Sequence, residues 1–113
     1  MKPKSETKPR TSRKAKEPTP SLEHFELLIS DEYELTRPIP VQVWRYPDGV
    51  VVIRSIELNV YAQSDTEYRA RKEFSDILVE ELEDLESEGI DNLGRALQVE
   101  LSMLHRLLRK VSG

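Results

Sequence analysis

The stretch from Pro47-Asp48-Gly49 to Leu85 leaves this chain few ways to fold. Proline presets φ at the second position of a tight turn and glycine accepts positive φ, so the tripeptide signals a hairpin. A β-branched run follows, Val50-Val51-Val52-Ile53, and then an alternating run with Ile56, Leu58, Val60 and Ala62 on one face. The phase changes near Arg54-Ser55, which reads as a bend or bulge within the returning strand. Ser64 and Glu67 have capping-box spacing and Asp65 is an equally good cap, so Ser64 and Asp65 mark the start of a helix from about Thr66 to Glu88. Its apolar stripe is Ala70, Phe74, Ile77, Leu78, Leu82 and Leu85. Gly89 stands where a left-handed C-terminal cap is wanted, with apolar Ile90 after it.

The flanks are read with the same rules. Tyr33 to Tyr46 alternates, with Tyr33, Leu35, Ile39, Val41 and Val43 on one face and Gln42 and Trp44 on the other, which predicts one half-buried strand. Pro38 and Pro40 share a parity, so their missing N–H groups face one side, and an edge strand is expected at that point. Ser21–Ser30 is a short element, helix or strand, that packs Phe25, Leu27 or Leu28 onto the core. After Gly89, Asp91 or Asn92 caps a second helix carrying Leu93, Leu97, Leu101, Leu104, Leu108 and Val111. From Leu97 the 4-3-4-3 spacing is a short coiled-coil-like seam. Leu97, Leu101, Leu104 and Leu108, flanked by Val99, Met103 and Leu107, offer more apolar surface than one small sheet needs. A dimer contact through this helix or an exposed strand edge is therefore expected.

Charge divides the chain. Residues 1–20 hold seven Lys/Arg and two Glu, net +5, four prolines and no large aliphatic or aromatic core residue, so they read as a disordered basic tail. Residues 21–113 hold ten Lys/Arg and nineteen Asp/Glu, net −9, and form a single domain. An acidic body argues against a folded nucleic-acid surface and for a cationic partner, leaving nucleic acid only to the tail. The absence of cysteine excludes disulfides and thiol catalysis. No apolar run is long enough to span a bilayer and no secretory core begins the chain, so a cytoplasmic protein is expected.

Reactive constellations are missing from the sequence. The two histidines, His24 and His105, have no partners spaced for a metal site, and His105 reads as a boundary packing residue. No glycine-rich phosphate loop, nucleophile elbow or EF-hand spacing occurs. No catalytic residue, metal or cofactor is expected. The acidic run Glu80, Glu81, Glu83 and Asp84, continuing to Glu86, Glu88 and Asp91, crowds the end of the helix where the dipole disfavours negative charge. It reads either as a solvated face or as a docking surface for a basic protein.

Gln42–Leu85 resembles the HicB-like antitoxin family, on the Glu57-Leu58 step and the helix start Asp65-Thr66-Glu67 with Ala70. Ser64 stands where that family has glycine, and Arg69 where it has an acid. The resemblance implies a degenerate RNase H-like sheet followed by a helix. It also implies a non-catalytic antitoxin-like module that binds a basic partner such as a small RNA-cleaving toxin. That family carries a strand after the helix and often a DNA-binding module, neither of which is legible here. The expected fold is α+β, a small antiparallel sheet packed against a long helix with a second C-terminal helix. The alternative function is a homo-oligomeric structural or adaptor protein without a toxin.

Overall fold

A computed structural model describes residues 18–111. The predicted tail, beyond Pro18-Thr19-Pro20, lies outside the described residues. The fold is α+β. β1 (Ser21–Phe25), β3 (Ile39–Arg45), β4 (Val51–Ser55) and β5 (Tyr61–Ser64) form an antiparallel sheet in that order. β2 (Tyr33–Leu35) pairs separately with β6 (Leu108–Lys110). α1 (Glu67–Glu88) lies across the four-stranded sheet, and a 3₁₀ turn (Ile90–Asn92) leads into α2 (Arg95–Leu107).

The predicted hairpin joins β3 to β4. Gly49 takes φ 99° and donates to Tyr46 O at 3.0 Å, while Asp48 Oδ1 accepts from Val50 N–H. The core sits between one sheet face and the α1 stripe. Phe25, Ile39, Val41, Val43, Val51, Ile53 and Ala62 meet Ala70, Phe74, Leu78, Leu82 and Leu85, all buried. Ala70 has no bulk to hold helix and sheet apart, and it is fully buried. Ser75, also fully buried on α1, is satisfied: its hydroxyl accepts from Ile29 N–H and donates to Arg71 O. Ile77 is half-buried at the margin of the stripe.

Several expectations are corrected. The run Tyr33–Tyr46 is two strands in two sheets, because Arg37-Pro38 interrupts the pairing between Leu35 and Ile39. β3 is central, not an edge. Pro40 fits there because it lies opposite Ile56, just past the last β3–β4 pair, Val41 with Ser55. Its carbonyl accepts from Ile56 N–H, and its missing donor falls where the ladder has ended. The run Val50–Ala62 is also two strands. A buried serine makes the turn: Ser55 Oγ accepts from Leu58 N–H at 2.9 Å, and Ser55 N–H donates to Val60 O. Ile56 is consequently 54 % exposed, while Leu58 and Val60 are buried. In the first element, Phe25 and Leu28 are buried and Leu27 is exposed.

The helix ends differ as well. Thr66, not Ser64 or Asp65, caps α1: its extended backbone turns its hydroxyl to accept from Arg69 N–H at 3.1 Å. Ser64 closes β5 and Asp65 reaches Arg69 across the surface. Gly89 ends α1 at φ 86°. Asp91 and Asn92 cap nothing in α2, which starts at Arg95 behind Gly94; Asn92 instead donates to Glu88 O, closing α1. α2 stops at Leu107 and the chain extends into β6, where Tyr33 pairs with Lys110 and Leu35 with Leu108. β2 carries unpaired backbone groups that only another strand satisfies, and this overrides the helical periodicity.

The predicted oligomer seam is corrected in the same way. Leu101, Leu104 and Leu108 are buried in the chain's own core, with Leu107 beside them, and only Leu97 remains out at 42 % exposure. Two stability measurements follow. Thr66→Ala lowers stability by about 1 kcal/mol in urea melts, whereas Ser64→Ala and Asp65→Ala each change it by less than about 0.5 kcal/mol. Leu104→Ala costs about 2–5 kcal/mol, and the loss is the same at every protein concentration, as for a core residue rather than an oligomer contact.

Candidate functional site

Among the described residues, the outer side of the C-terminal half of α1 meets no other helix or strand. Glu80, Glu83 and Asp84 stand there exposed, at spacings that place them on one side of the helix. Among the described residues none of these three side chains forms an ion pair. Glu80 also borders a depression of about 340 Å³ between α1 and the β1–β2 loop. Four carboxylates line it, Asp31, Glu32, Asp76 and Glu80, against one cation, Lys72, which is bound to Asp76 at 2.8 Å. The acidic run thus continues into a concave acidic site whose remaining wall is Ser30 and the apolar Ile29 and Val79.

Glu81 is not part of that face. It is half-buried and turned towards Glu100 of α2. Desolvation, and then the hydrogen bond and charge of Glu81, push the Glu100 carboxyl up to about 7. Glu100 Oε2 is buried without a hydrogen-bond partner, a position an ionised carboxylate tolerates poorly. A proton on Glu100 supplies the donor that lets the two carboxyl groups bond. His105, read from the sequence as a packing residue, is exposed and lies 2.7 Å from Glu86, tying α2 to α1.

A second charged cluster holds the start of α1 to the sheet. Arg45 at the end of β3 binds Glu23 on β1 at 2.6 Å and Glu67 on α1 at 2.9 Å, and Arg71 reaches Glu67 at 3.0 Å. The Arg45 hydrogen bond holds the Glu67 carboxyl down to about 2 and keeps Glu23 below its usual range. Arg71 also lies over the Phe25 ring, 5.8 Å from its centroid. The acids and bases neutralise one another, so the cluster positions elements rather than offering reactive groups.

Among the described residues, nothing covers the outer face of the sheet. One row across it is Leu22, Gln42, Arg54 and Tyr61; the next is Trp44, Val52 and Gln63; His24 and Pro40 form the third. None of these strand residues is acidic, in a chain with 21 Asp/Glu. Tyr61 is 63 % exposed, Arg54 is exposed, and Trp44 is half-buried. Sequence reasoning placed Gln42 and Trp44 on this face but did not single it out as a site. The signal was the same period-two alternation, read for its outward-facing residues.

No family model, curated protein or solved structure matches this chain. Among the described residues no group of three or more His, Asp or Glu side chains could hold a metal ion, and no helix is long and apolar enough to cross a membrane.

The two shifted carboxyls pull stability in opposite directions with pH. Glu67, lowered in the fold, contributes stability above about pH 4.5 that disappears as pH falls towards 2. Glu100, raised in the fold, keeps its proton while the unfolded chain loses it, so stability declines between about pH 4.5 and 7. Glu100→Gln removes that decline. Denaturant midpoints are expected to rise in the variant at pH 8, on the order of 1 kcal/mol after solvent screening, and to stay level at pH 4.5.

Proposed function

We propose that this chain is a non-catalytic, cytoplasmic protein-interaction module of antitoxin type. It docks a basic protein, such as a small RNA-cleaving toxin, on the outer side of α1. The observation that carries this reading is the acidic depression beside Glu80, continuous with exposed Glu83 and Asp84. A concave site with excess carboxylates and apolar walls suits an inserted Lys or Arg, whose aliphatic stem packs while its head pairs. The surrounding charge steers the encounter. The resemblance of Gln42–Leu85 to HicB-like antitoxins points the same way, since a hairpin, a further strand and a long capped helix succeed one another here. The strand that follows, β6, joins β2 rather than the main sheet, a departure from the layout that the family implies. His105 and the buried serines Ser55 and Ser75 are engaged in structural bonds, which supports a binding rather than a catalytic role.

A homo-oligomer is the second reading. Ile90 in the 3₁₀ turn and Leu97 and Val99 in the first half of α2 are favourable to it, because they stay exposed after the predicted seam has been absorbed into the core. Sedimentation at micromolar concentration separates the two: a monomer leaves only the hetero-partner reading.

The leading proposal is tested by titrating the chain with the product of a short basic reading frame encoded beside it. The triple change Glu80→Lys, Glu83→Lys, Asp84→Lys is expected to weaken binding at least tenfold at low salt with the melting temperature unchanged, since all three side chains are exposed. Full affinity retained by the triple variant removes this face from the mechanism.

A further inference from the structure

A small sheet covered by a helix on one side must solve the other side by solvation or by a partner. Here the open side is neither a charged solvated surface nor a continuous apolar one. It carries two aromatic rings, Trp44 on β3 and Tyr61 on β5, with Arg54 directly opposite Tyr61 on β4. Gln42 stands opposite Arg54, and Gln63 lies in the row of Trp44. Three shallow depressions border this group: one of about 270 Å³ at Gln42, Arg54, Ser55 and Ile56, one of about 260 Å³ at Tyr46, Val52 and Gln63, and one of about 470 Å³ at Tyr61, Gln63, Glu73 and Ile77. Asp48 borders the second, with its carboxylate turned back to the Val50 amide.

We infer that this face binds single-stranded nucleic acid. Aromatic rings on an open antiparallel sheet stack unpaired bases, and amide side chains bond base edges. Strand spacing and rise separate the Trp44 and Tyr61 Cα atoms by about 12 Å, room for bases on both rings along one extended backbone. Arg54 stacks on or pairs with the intervening backbone; among the described residues it has no ion-pair partner to give up.

Charge is the second argument. Residues 1–17, with seven Lys/Arg and two Glu, enter through Pro18-Thr19-Pro20 at Ser21, whose partner on β3 is Val43, the neighbour of Trp44. The cation-rich segment is therefore attached beside the aromatic platform, at its own edge. Glu80, Glu83 and Asp84 lie across the helix layer, about one Debye length off at physiological salt, so they repel phosphates on the sheet face only weakly; the α1 acid nearest the platform is Glu73, at the β5 edge beside Tyr61 and Gln63. An acidic protein would meet the same charges, but it gains nothing from paired rings spaced for bases. The inference does not depend on the α1 docking reading, since it uses the opposite side of the molecule.

Trp44 is the only tryptophan, so its emission reports on this face alone. The full-length chain is titrated with a twelve-nucleotide oligouridylate, the matching oligothymidylate and a duplex of equal length. Either single strand, or both, is expected to quench Trp44, with affinity falling at least tenfold between about 50 and 200 mM salt. Which of the two binds tighter tells RNA from DNA. Tyr61→Ala and Arg54→Glu, both at exposed positions, are each expected to weaken binding about tenfold without shifting the thermal melt. Three outcomes overturn the inference: no quenching by either strand, equal binding of duplex and single strand untouched by both variants, or a Trp44 change that follows protein concentration instead of oligonucleotide. The second would assign binding to the basic segment alone, the third to a second copy on the sheet.

Discussion

Phe74 of α1 meets Phe25 of β1 edge to face, ring centroids 4.8 Å apart, and both rings are fully buried. Each such ring is worth about 1.5–3 kcal/mol in burial, and the pair adds a directional term because a ring edge seeks a ring face. The contact fixes the helix against the sheet at the first strand, far in sequence from the hairpin that precedes the helix. Ala70 one turn earlier lets the backbones approach, and Leu78, Leu82 and Leu85 extend the same stripe. Once α1 lies in this position, its outer side and the outer side of the sheet are both left without cover by the described residues.

Polar groups then adjust the placement. The Glu23–Arg45–Glu67–Arg71 cluster gathers the first strand, the central strand and the start of α1. Its side chains are partly in water, so it contributes orientation more than energy. At the other end, α2 packs its leucines on α1 and brings Glu100 against Glu81, a like-charge contact that only a proton makes comfortable. β6 carries the chain back to β2, with Thr36 N–H on Leu107 O and Val111 N–H on Glu32 O extending the two-stranded sheet. The loop between β1 and β2, which would otherwise hang free, is thereby tied down beside α1 and forms the wall of the acidic depression.

The two faces have opposite chemistry. Carboxylates accumulate on the side of α1 that sees solvent, where they are far from the sheet and cost little. The sheet face keeps aromatics, amides and one arginine and excludes acids from its strands. The two proposed partners, a cationic protein and a single-stranded nucleic acid, would meet separate surfaces of a body that is net negative, because charge acts locally once screened.

Local rules were enough for the hairpin at Pro47-Asp48-Gly49, the α1 stripe, its Gly89 terminus and the α+β class, since each depends on neighbours within a few residues. The inward parity of Ile39, Val41 and Val43, and with it the outward parity of Gln42 and Trp44, was legible for the same reason. The acidic run was legible as charge, but its union with Asp31 and Glu32 into one depression was not, because those residues arrive from a loop some fifty positions away. The errors share a cause. Ser55 makes a turn with its hydroxyl where no glycine or proline announces one, and Thr66 displaces better-spaced caps through its backbone geometry. Leu108 satisfies a helical seam and a strand equally well, and the choice fell to β2, whose backbone needed a partner that only the folded chain could bring to it.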